Sequence, residues 1–324
     1  MAVAGPELVL TAPDSKDLGR EASALSARMP DLLMQARLVS NTVAHGIHGR
    51  RRAGPGETFW QFRRFQSGEP ARRVDWRRSA RDDLLYVREK EWEASHTVWI
   101  WIDRSPSMYF SSSLAPCRKI DRAVVMALAL TDLLIRGGER VGIVGLLRPT
   151  AQRHALERAA VAIARAPVSD DSLPDAAPFG RFSEFIAIGD FLEPLSDLEP
   201  ALTGIAARRV HGHLAQVLDP VEESFPFAGR TEFHDAASGL EFVAGRAETV
   251  REAYLGRMAA RRRRLKAVTD RIGWSQLIHH TDRPAQEPIL ALHARLSGGG
   301  DPRSFGAASA SSGNRPRQDA EADA

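Results

Sequence analysis

The chain has 324 residues, a length that allows one large domain or two of modest size. Apolar residues make up 43% and charged residues 26%, a globular balance that excludes wholesale disorder. The formal net charge is only +3 although the pI is about 9.3, so strongly basic character has to be local. The single cysteine, Cys117, excludes an intramolecular disulfide framework and a cysteine-based zinc cluster, and it indicates a reducing compartment.

Nothing in the sequence predicts a membrane span or a leader. No segment approaches the ~18 consecutive apolar residues that a transmembrane helix requires. Residues 1–20 carry no basic residue before their apolar stretch and acidic residues soon after it, which is atypical of a signal peptide. We therefore expect a cytoplasmic protein.

The two ends of the chain are predicted to be poorly ordered. Residues 297–324 are rich in Gly, Ser, Ala and Pro and have little apolar surface to offset the entropy of ordering. Residues 1–29 share this character more weakly. An amphipathic helix is predicted at about 30–45, where apolar residues recur near helical spacing.

A basic, aromatic-rich block follows, and with the helix it forms a predicted N-terminal module at 30–95. Residues 50–91 contain twelve basic and seven acidic residues, and aromatic residues alternate with these charges. Gly and Pro recur too often for one regular element, so loops and short strands are predicted. Arginines interleaved with aromatic rings are typical of nucleic-acid stacking platforms. The mixed charge instead favours aromatic packing on the next domain, with solvated arginines.

From residue 96 the pattern alternates between strands and helices. Strands are predicted at 98–102, 140–147, 185–190, 210–218 and 274–278, and an edge hairpin within 231–242. Helices are predicted at 118–135, 155–165, 198–208, 248–272 and 288–296. This alternation predicts an α/β domain at 96–296 with a doubly wound, mainly parallel sheet.

Two of the predicted strands end at an aspartate, Asp103 and Asp190. Open α/β sheets bind ligands outside the carboxyl ends of their strands. Asp103 also begins an Asp-x-Ser-x-Ser pattern with Ser105 and Ser107, which can aim one carboxylate and two hydroxyls at one point. Oxygen ligands suit Mg²⁺ or Mn²⁺. The same residues also suit an ordinary loop that caps the next helix, and both interpretations stay open.

The sequence of this region resembles two known groups of proteins. The segment DRSPSM at 103–108, after a buried strand, is similar to the metal-ion-dependent adhesion site of von Willebrand factor type A domains. The upstream block resembles the bacterial DUF58 family, in which a basic segment precedes such a domain. The matching segments are GPGETF at 54–59, RRF at 63–65, GEPARRVDW at 68–76, SAR at 79–81, VRE at 87–89, IGDF at 188–191 and TDRP at 281–284.

The resemblance implies a metal-dependent protein-binding surface on a doubly wound sheet. By this analogy Asp103, Ser105 and Ser107 coordinate Mg²⁺ or Mn²⁺, Asp190 contributes directly or through water, and a carboxylate of a partner completes the shell. The family is associated with MoxR-type AAA+ ATPases in systems that assemble or activate other proteins. An ATPase of this type and an unidentified client protein are therefore the expected partners.

The chain departs from the adhesion-site pattern in one loop. A threonine usually comes from the loop before the strand that ends at Asp190, and residues 167–175 contain none. The residues of this loop that could supply an oxygen instead are Ser169, Asp170, Asp171 and Ser172. An added carboxylate would make the site more negative and would disfavour an acidic partner.

The first functional hypothesis is therefore a non-catalytic, metal-dependent interaction protein. Ser105 and Ser107 lie outside a Gly-x-Ser-x-Gly motif, and the chain has no glycine-rich phosphate loop, so an enzyme is not expected. A metal-assisted hydrolase is the weakest alternative. Nucleic-acid binding by the basic block is the second hypothesis. The interaction surface predicted in that block consists of Arg72, Arg73, Asp75, Trp76, Arg77, Arg78 and Arg81.

Two further features of the sequence have plain structural explanations. Four consecutive arginines at 261–264 point in every direction around a helix, which predicts a solvated basic turn able to attract an acidic partner. His279 and His280 are neighbours at a predicted strand end and face opposite ways, so at most one of them could join a common site.

Overall fold

The computed structural model describes residues 10–11, 18–48, 59–65, 74, 76–80, 84–90, 96–169, 174, 179–180, 183–234 and 240–297. Its strands are β1 (Leu10–Thr11), β2 (Phe59–Arg64), β3 (Tyr86–Lys90), β4 (Thr97–Ile102), β5 (Ser111–Ser112), β6 (Arg140–Ile143), β7 (Leu147–Thr150), β8 (Glu184–Gly189), β9 (His211–Leu218), β10 (Thr231–His234), β11 (Glu241–Ala244) and β12 (Ser275–His280). Its α-helices are α1 (Leu18–His48), α2 (Trp76–Ser79), α3 (Lys119–Arg136), α4 (Ala155–Arg165), α5 (Leu195–Ala206), α6 (Pro220–Ser224), α7 (Glu248–Arg271) and α8 (Gln286–Ser297).

Among the described residues, six strands form a central sheet in the order β7-β6-β4-β8-β9-β12. Neighbouring strands are parallel, except that β7 runs antiparallel to β6. The first strand of this sheet in the sequence is β4, and β6 and β7 follow on one side of it. The chain then crosses to the other side of β4, where β8, β9 and β12 complete the sheet. This order confirms the predicted doubly wound, mainly parallel sheet, and it places the topological switch point between β4 and β8.

The central strand β4 is buried on both faces, as its uninterrupted apolar sequence predicts. Val98, Ile100 and Ile102 pack into one core with helices α1, α3, α4 and α8. Trp99 and Trp101 point to the opposite face and pack into a second core with α5 and α7. Helices therefore cover both faces of the sheet, and strand ends remain as the place where polar groups converge.

The first helix begins at Leu18 and not at about Pro30, so residues 18–29 lie outside the poorly ordered terminus predicted from composition. Its buried face extends through both halves of the helix, where Leu25 and Met29 are as buried as Leu32 and Ala36. Proline is common in the first turn of a helix, which is why Pro30 resembles a start, although here it lies in the interior.

The first helix also belongs to the α/β domain and not to the basic module. It packs on α3, α4 and α8, and its apolar face is part of the core on that side of the sheet. Arg28 reaches Asp121 of α3 at 2.5 Å, and the Ser40 hydroxyl donates to Asp132 at 2.5 Å. The α/β domain therefore includes a helix that precedes the basic module in the sequence.

The predicted strand at 140–147 is wrong as a single element. Gly145 has a φ of +72°, a left-handed conformation that costs glycine little, and it reverses the chain between β6 and β7.

The predicted edge hairpin is confirmed, since β10 and β11 pair antiparallel. In the basic module β2 and β3 form another antiparallel pair. In the part of the chain that the structure describes, no helix combines the length and the apolar character that crossing a bilayer demands.

Candidate metal centre

The two strand-end aspartates are brought side by side at the switch point. Ile102 of β4 pairs with Ile188 of β8, and the backbone N–H of Asp103 donates to the Ile188 carbonyl at 2.8 Å. Asp103 and Asp190 are both fully buried. Their positions follow from sheet topology, because neighbouring parallel strands end at the same edge.

The loop after Asp103 turns back tightly and carries both serines to the same point. The Ser105 N–H donates to Oδ1 of Asp103 at 2.8 Å, and a 3-10 turn then begins at Pro106. The hydroxyl oxygens of Ser105 and Ser107 are 3.1 Å apart, and Ser107 donates to Oδ2 of Asp190 at 2.7 Å. The structure thus brings together all four residues that the sequence predicts as ligands. Because Ser107 gives its proton to Asp190, Ser105 is the donor in the bond between the two serines, and one lone pair of Ser107 and both lone pairs of Ser105 remain available to a cation.

One carboxylate oxygen of Asp103 lacks a hydrogen bond although it is buried: this atom, Oδ2, has no partner among the described residues. Burial, followed by the charges of Asp190 and Glu193, raises the pKa of Asp103 well above its usual value. A Cβ at Gly189 would lie 2.8 Å from the Asp103 Cβ, so glycine at that position is what lets the carboxylate sit there. A buried carboxylate oxygen without a donor is costly, and a bound cation is one way to satisfy it.

Glu193 is a third carboxylate of the cluster, which the sequence analysis missed. Ligand oxygens of Asp103, Asp190 and Glu193 all lie within 4.8 Å of one another. The chain folds back after Asp190 because Phe191 adopts a left-handed φ of +50°. The only sequence signal for Glu193 is an acidic residue three positions after a strand-end aspartate, a spacing without a regular periodicity to reveal it.

Arg261 holds this returning loop in place. Its guanidinium donates to the carbonyl oxygens of Phe191 and Glu193, with a distance of 2.9 Å from Nε to Phe191. Arg262, its neighbour in α7, pairs with Glu223. The expectation that the arginine run is simply a solvated turn is therefore wrong for Arg261, whereas the Arg262 side chain remains 40% exposed and Arg263 and Arg264 are exposed.

A buried lysine, which the sequence analysis also missed, neutralises part of the cluster. Lys119, the first residue of α3, donates from Nζ to Asp190 Oδ2 at 2.8 Å and to Glu222 Oε1 at 2.6 Å. Burial alone lowers the pKa of Lys119, but the two carboxylates outweigh burial and raise the pKa above its usual value. Burial also raises the pKa of Glu222, and Lys119 opposes that shift. Nothing in the local sequence distinguishes this lysine from an ordinary one at a helix start.

The loop without a threonine runs alongside the serine loop. The Ser169 N–H donates to the Arg104 carbonyl at 3.0 Å, and the Arg104 guanidinium donates to the Pro167 carbonyl at 2.7 Å. Ser169 therefore lies next to the loop that starts at Asp103. The other predicted substitutes for the threonine lie outside the described residues, and they are Asp170, Asp171 and Ser172.

The predicted interaction surface in the basic module is described only in part. Trp76 and Arg77 are exposed on α2, and Trp76 has 62% of its surface accessible. The expectation that the aromatic residues of the basic block pack on the next domain is therefore wrong for Trp76. Arg78 belongs to the same short helix. The remaining members of the surface lie outside the described residues, and they are Arg72, Arg73, Asp75 and Arg81.

The two neighbouring histidines lie at the end of β12. His279 is buried, and burial, reinforced by Arg122, lowers its pKa to about 3. The His280 side chain is half-buried and its Nε2 lies 2.5 Å from Glu223 Oε2. The two side chains thus have different surroundings, as the alternation of a strand predicts.

Comparison with known proteins places this geometry in a family. The family model described as "Protein of unknown function DUF58" matches residues 61–264. Proteins of Mycobacterium bovis and Mycobacterium tuberculosis that are named as uncharacterized are 32% identical over 235 residues, which is 67% of this chain and 72% of theirs.

Three solved structures are also similar to the chain. BatB from Bacteroides thetaiotaomicron has a TM-score of 0.39 at 15% identity and covers 62% of this chain and 98% of its own. An aerotolerance-related membrane protein from Bacteroides fragilis has a TM-score of 0.36 at 15% identity, and the match covers 60% of this chain and 96% of that protein's chain. The VWA domain of SpRpn10 has a TM-score of 0.35 at 10% identity, and the match covers 64% of this chain and 100% of the chain of that domain.

The strand order and the Asp-x-Ser-x-Ser loop after the central strand make the domain von Willebrand factor A-like. The family match spans both the basic module and most of this domain, as the resemblance in the sequence implies. The chain belongs to the DUF58 family.

Proposed function

We propose that this protein is a non-catalytic interaction protein that binds a partner through a divalent metal ion at the carboxyl edge of its sheet. The observation that carries the proposal is the buried Oδ2 of Asp103, which has no hydrogen-bond partner in the described part of the chain. Ligand oxygens of Asp103, Asp190 and Glu193 also lie within 4.8 Å of one another. Such a cluster is costly without a cation and becomes favourable with one.

The donor set points to Mg²⁺ or Mn²⁺. The groups that would hold the ion are the carboxylates of Asp103 and Glu193 and the hydroxyls of Ser105 and Ser107, and Asp190, which accepts the Ser107 hydroxyl, would contribute directly or through water. All of these donors are oxygens, the ligand type that hard cations prefer. The bound ion would supply a positive charge that attracts an anionic group of a partner.

The serine geometry supports a ligand role and not a nucleophilic one. A nucleophilic serine needs a base that accepts its proton. Here Ser105 and Ser107 hydrogen-bond to each other, and no histidine is bonded to either in the described residues. Asp190 accepts the Ser107 proton, but the same oxygen is ion-paired with Lys119, which makes it a weak base. We therefore propose that the protein binds and does not catalyse.

The expected partner is a protein that offers a carboxylate to the ion. The DUF58 resemblance adds a MoxR-type AAA+ ATPase as a component of the same system, with a client protein as the third member. The basic residues Arg263 and Arg264, exposed on α7, would favour the approach of an acidic surface.

Calorimetric titration of Mg²⁺ and Mn²⁺ into the full chain tests the proposal. We expect saturable binding to the wild-type protein and its loss in Asp103→Asn, which keeps the side-chain shape but removes the charge. Asp282→Asn, at an exposed aspartate after β12, is the matched control and should bind as the wild type does. Equal heats in the wild type and Asp103→Asn, or none in either, would overturn the proposal.

The exposure of Trp76 beside Arg77 favours one second candidate, nucleic-acid binding by the basic module. An exposed aromatic ring next to an arginine can stack on a base. Gel-shift measurements with a single-stranded oligonucleotide over a range of salt concentrations test this candidate. Binding that weakens linearly in log–log form and that Trp76→Ala reduces about 10-fold would support it, and an absence of a shift at low salt would exclude it.

A further inference from the structure

We propose that Lys119 is an internal counter-cation that competes with the divalent ion for Asp190 and thereby sets the ion affinity of the metal centre. This inference rests on the proposed function and adds a residue that controls it. The observation behind it is an ammonium group in direct contact with one carboxylate of the cluster, at a position that solvent does not reach.

The contacts of Lys119 connect it to the centre and not merely to its rim. Its side chain is 1% exposed, and its Nζ lies 2.8 Å from Asp190 Oδ2. The same oxygen accepts the Ser107 hydroxyl at 2.7 Å. Lys119 therefore bonds to the atom through which Asp190 orients a predicted ligand. A divalent ion bound beside Asp190 would face this positive charge, and two like charges this close repel each other.

The charges around the centre give a reason for a cation inside a cation site. The charged side chains that act on it are four carboxylates, Asp103, Asp190, Glu193 and Glu222, and three cations, Lys119, Arg104 and Arg261. Lys119 bonds to a carboxylate of the cluster, whereas Arg104 and Arg261 donate to backbone carbonyls. Lys119 thus weakens ion binding but makes the loaded centre less negative toward the carboxylate of an acidic partner.

The second partner of Lys119 gives the lysine a place to remain when the ion binds. Glu222 lies 2.6 Å from Nζ, and its other oxygen accepts the Asp219 N–H at 2.8 Å in the capping box of α6. The Glu222 carbonyl also accepts the Tyr254 hydroxyl at 2.8 Å. Because Glu222 is fixed by these bonds, Lys119 keeps one ion pair if Asp190 turns toward the metal.

The test is a calorimetric titration of Mn²⁺ and Mg²⁺ into the full-length Lys119→Met variant. Methionine keeps most of the volume and removes the charge. We expect the ion to bind about 10-fold more tightly than to the wild type, since one repulsive charge near the ion is gone. The control is Lys266→Met, which removes a lysine whose side chain is 59% exposed and pairs with Asp270 in the next turn. It should leave the affinity unchanged.

Glu222→Gln supplies a second measurement with the opposite sign. It keeps Lys119 but leaves the ammonium group with Asp190 as its one carboxylate, so we expect the ion to bind more weakly than to the wild type. A lysine that only supports the fold would make both substitutions weaken binding. If Lys119→Met does not fold, Lys119→Gln takes its place, since it removes the charge but can still donate to Asp190 and Glu222; tighter ion binding by Lys119→Gln supports the proposal, and equal or weaker binding overturns it.

The outcomes separate this inference from the function on which it rests. Absence of binding by the wild type and by Lys119→Met would overturn the metal centre and the role of Lys119 with it. Binding by the wild type, with equal or weaker binding by Lys119→Met, would overturn only the role of Lys119. Tighter binding by Lys119→Met would support both.

Discussion

Asp103 and Asp219 occupy equivalent places in the sheet and differ in what bonds to them. Each directly follows a parallel strand, β4 or β9, at the same edge, and each is fully buried. Asp219 accepts the Ser112 hydroxyl at 2.6 Å, the Ser112 N–H at 2.9 Å and the Val221 N–H at 2.9 Å, so both of its oxygens are used. Asp103 accepts the Ser105 N–H on one oxygen, and its other oxygen has no partner among the described residues.

An aspartate at the end of a strand can therefore either stabilise the fold or serve as a candidate ligand. Asp219 caps α6 and ties it to β5, so its carboxylate stabilises the fold. Asp103 adds little to the fold that an amide could not supply, and its charge is disfavoured by burial and by two neighbouring carboxylates. Burial and position are the same in both cases. The inventory of hydrogen bonds is what separates a structural carboxylate from a candidate ligand.

The largest effect is expected at the structural aspartate. Asp219→Ala leaves three buried donors without their acceptor, and each such donor costs roughly 1–3 kcal/mol. We expect the free energy of unfolding in urea to fall by about 4 kcal/mol. Asp282→Ala, at an exposed position, is the control and should change it by less than about 0.5 kcal/mol. If Asp219→Ala lowers the free energy of unfolding no more than Asp282→Ala does, Asp219 does not stabilise the fold as described.

A smaller effect is expected at His279, whose Nε2 is also buried and lacks a hydrogen-bond partner in the described residues. Burial, reinforced by Arg122, lowers its pKa to about 3 from an ordinary value of 6.5. Between these pH values the unfolded chain takes up a proton that the folded chain does not, so stability falls as the pH falls. We expect His279 to contribute a loss of about 2 kcal/mol between pH 6.5 and pH 5.

Urea unfolding of the wild type and His279→Gln at both pH values isolates this contribution. The variant should show a shallower fall in stability and should bind the metal ion as the wild type does. The unpartnered Nε2 of the neutral His279 ring would then affect only stability, whereas the unpartnered oxygen of Asp103 would affect ion binding. Parallel pH profiles would show that His279 is not held neutral.

The smallest effects come from a matched pair of serines. Ser112→Ala removes the hydroxyl donor to Asp219 and keeps the backbone donor, so we expect a loss of about 1 kcal/mol in stability and no change in ion affinity. Ser107→Ala should change stability by less than about 1 kcal/mol but weaken ion binding at least about 10-fold. The same effect of both substitutions on both measurements would erase the distinction between the two sites.

The main architecture and half of the candidate centre could be predicted from sequence because both depend on local patterns. Uninterrupted apolar runs that stop at Asp103 and Asp190 predict buried parallel strands, and topology then brings their ends together. Ser105 and Ser107 follow from the spacing of one short loop. Each of these signals lies within a few consecutive residues.

The remaining features depend on contacts between distant parts of the chain. Lys119 and Asp190 are 71 positions apart, and Arg261 reaches a carbonyl 70 positions away. Glu193 joins the cluster only because the backbone folds back at Phe191. The reversal at Gly145 interrupts an apolar run that reads as one strand. Composition predicts that the ordered part of the chain begins later than it does. The buried apolar residues of α1 before Pro30 are few in the sequence, although they continue the buried face of the helix.

The most direct test of the account is urea unfolding of the wild type and Asp103→Asn, each with and without Mg²⁺. Without the ion, we expect Asp103→Asn to be at least as stable as the wild type, since the amide removes a disfavoured charge and keeps the bond from Ser105. With the ion at about 100 times its dissociation constant, the wild type should gain about 2.7 kcal/mol and the variant nothing, so that the order reverses. A wild type that Mg²⁺ does not stabilise, or a variant that gains as much, would contradict the account.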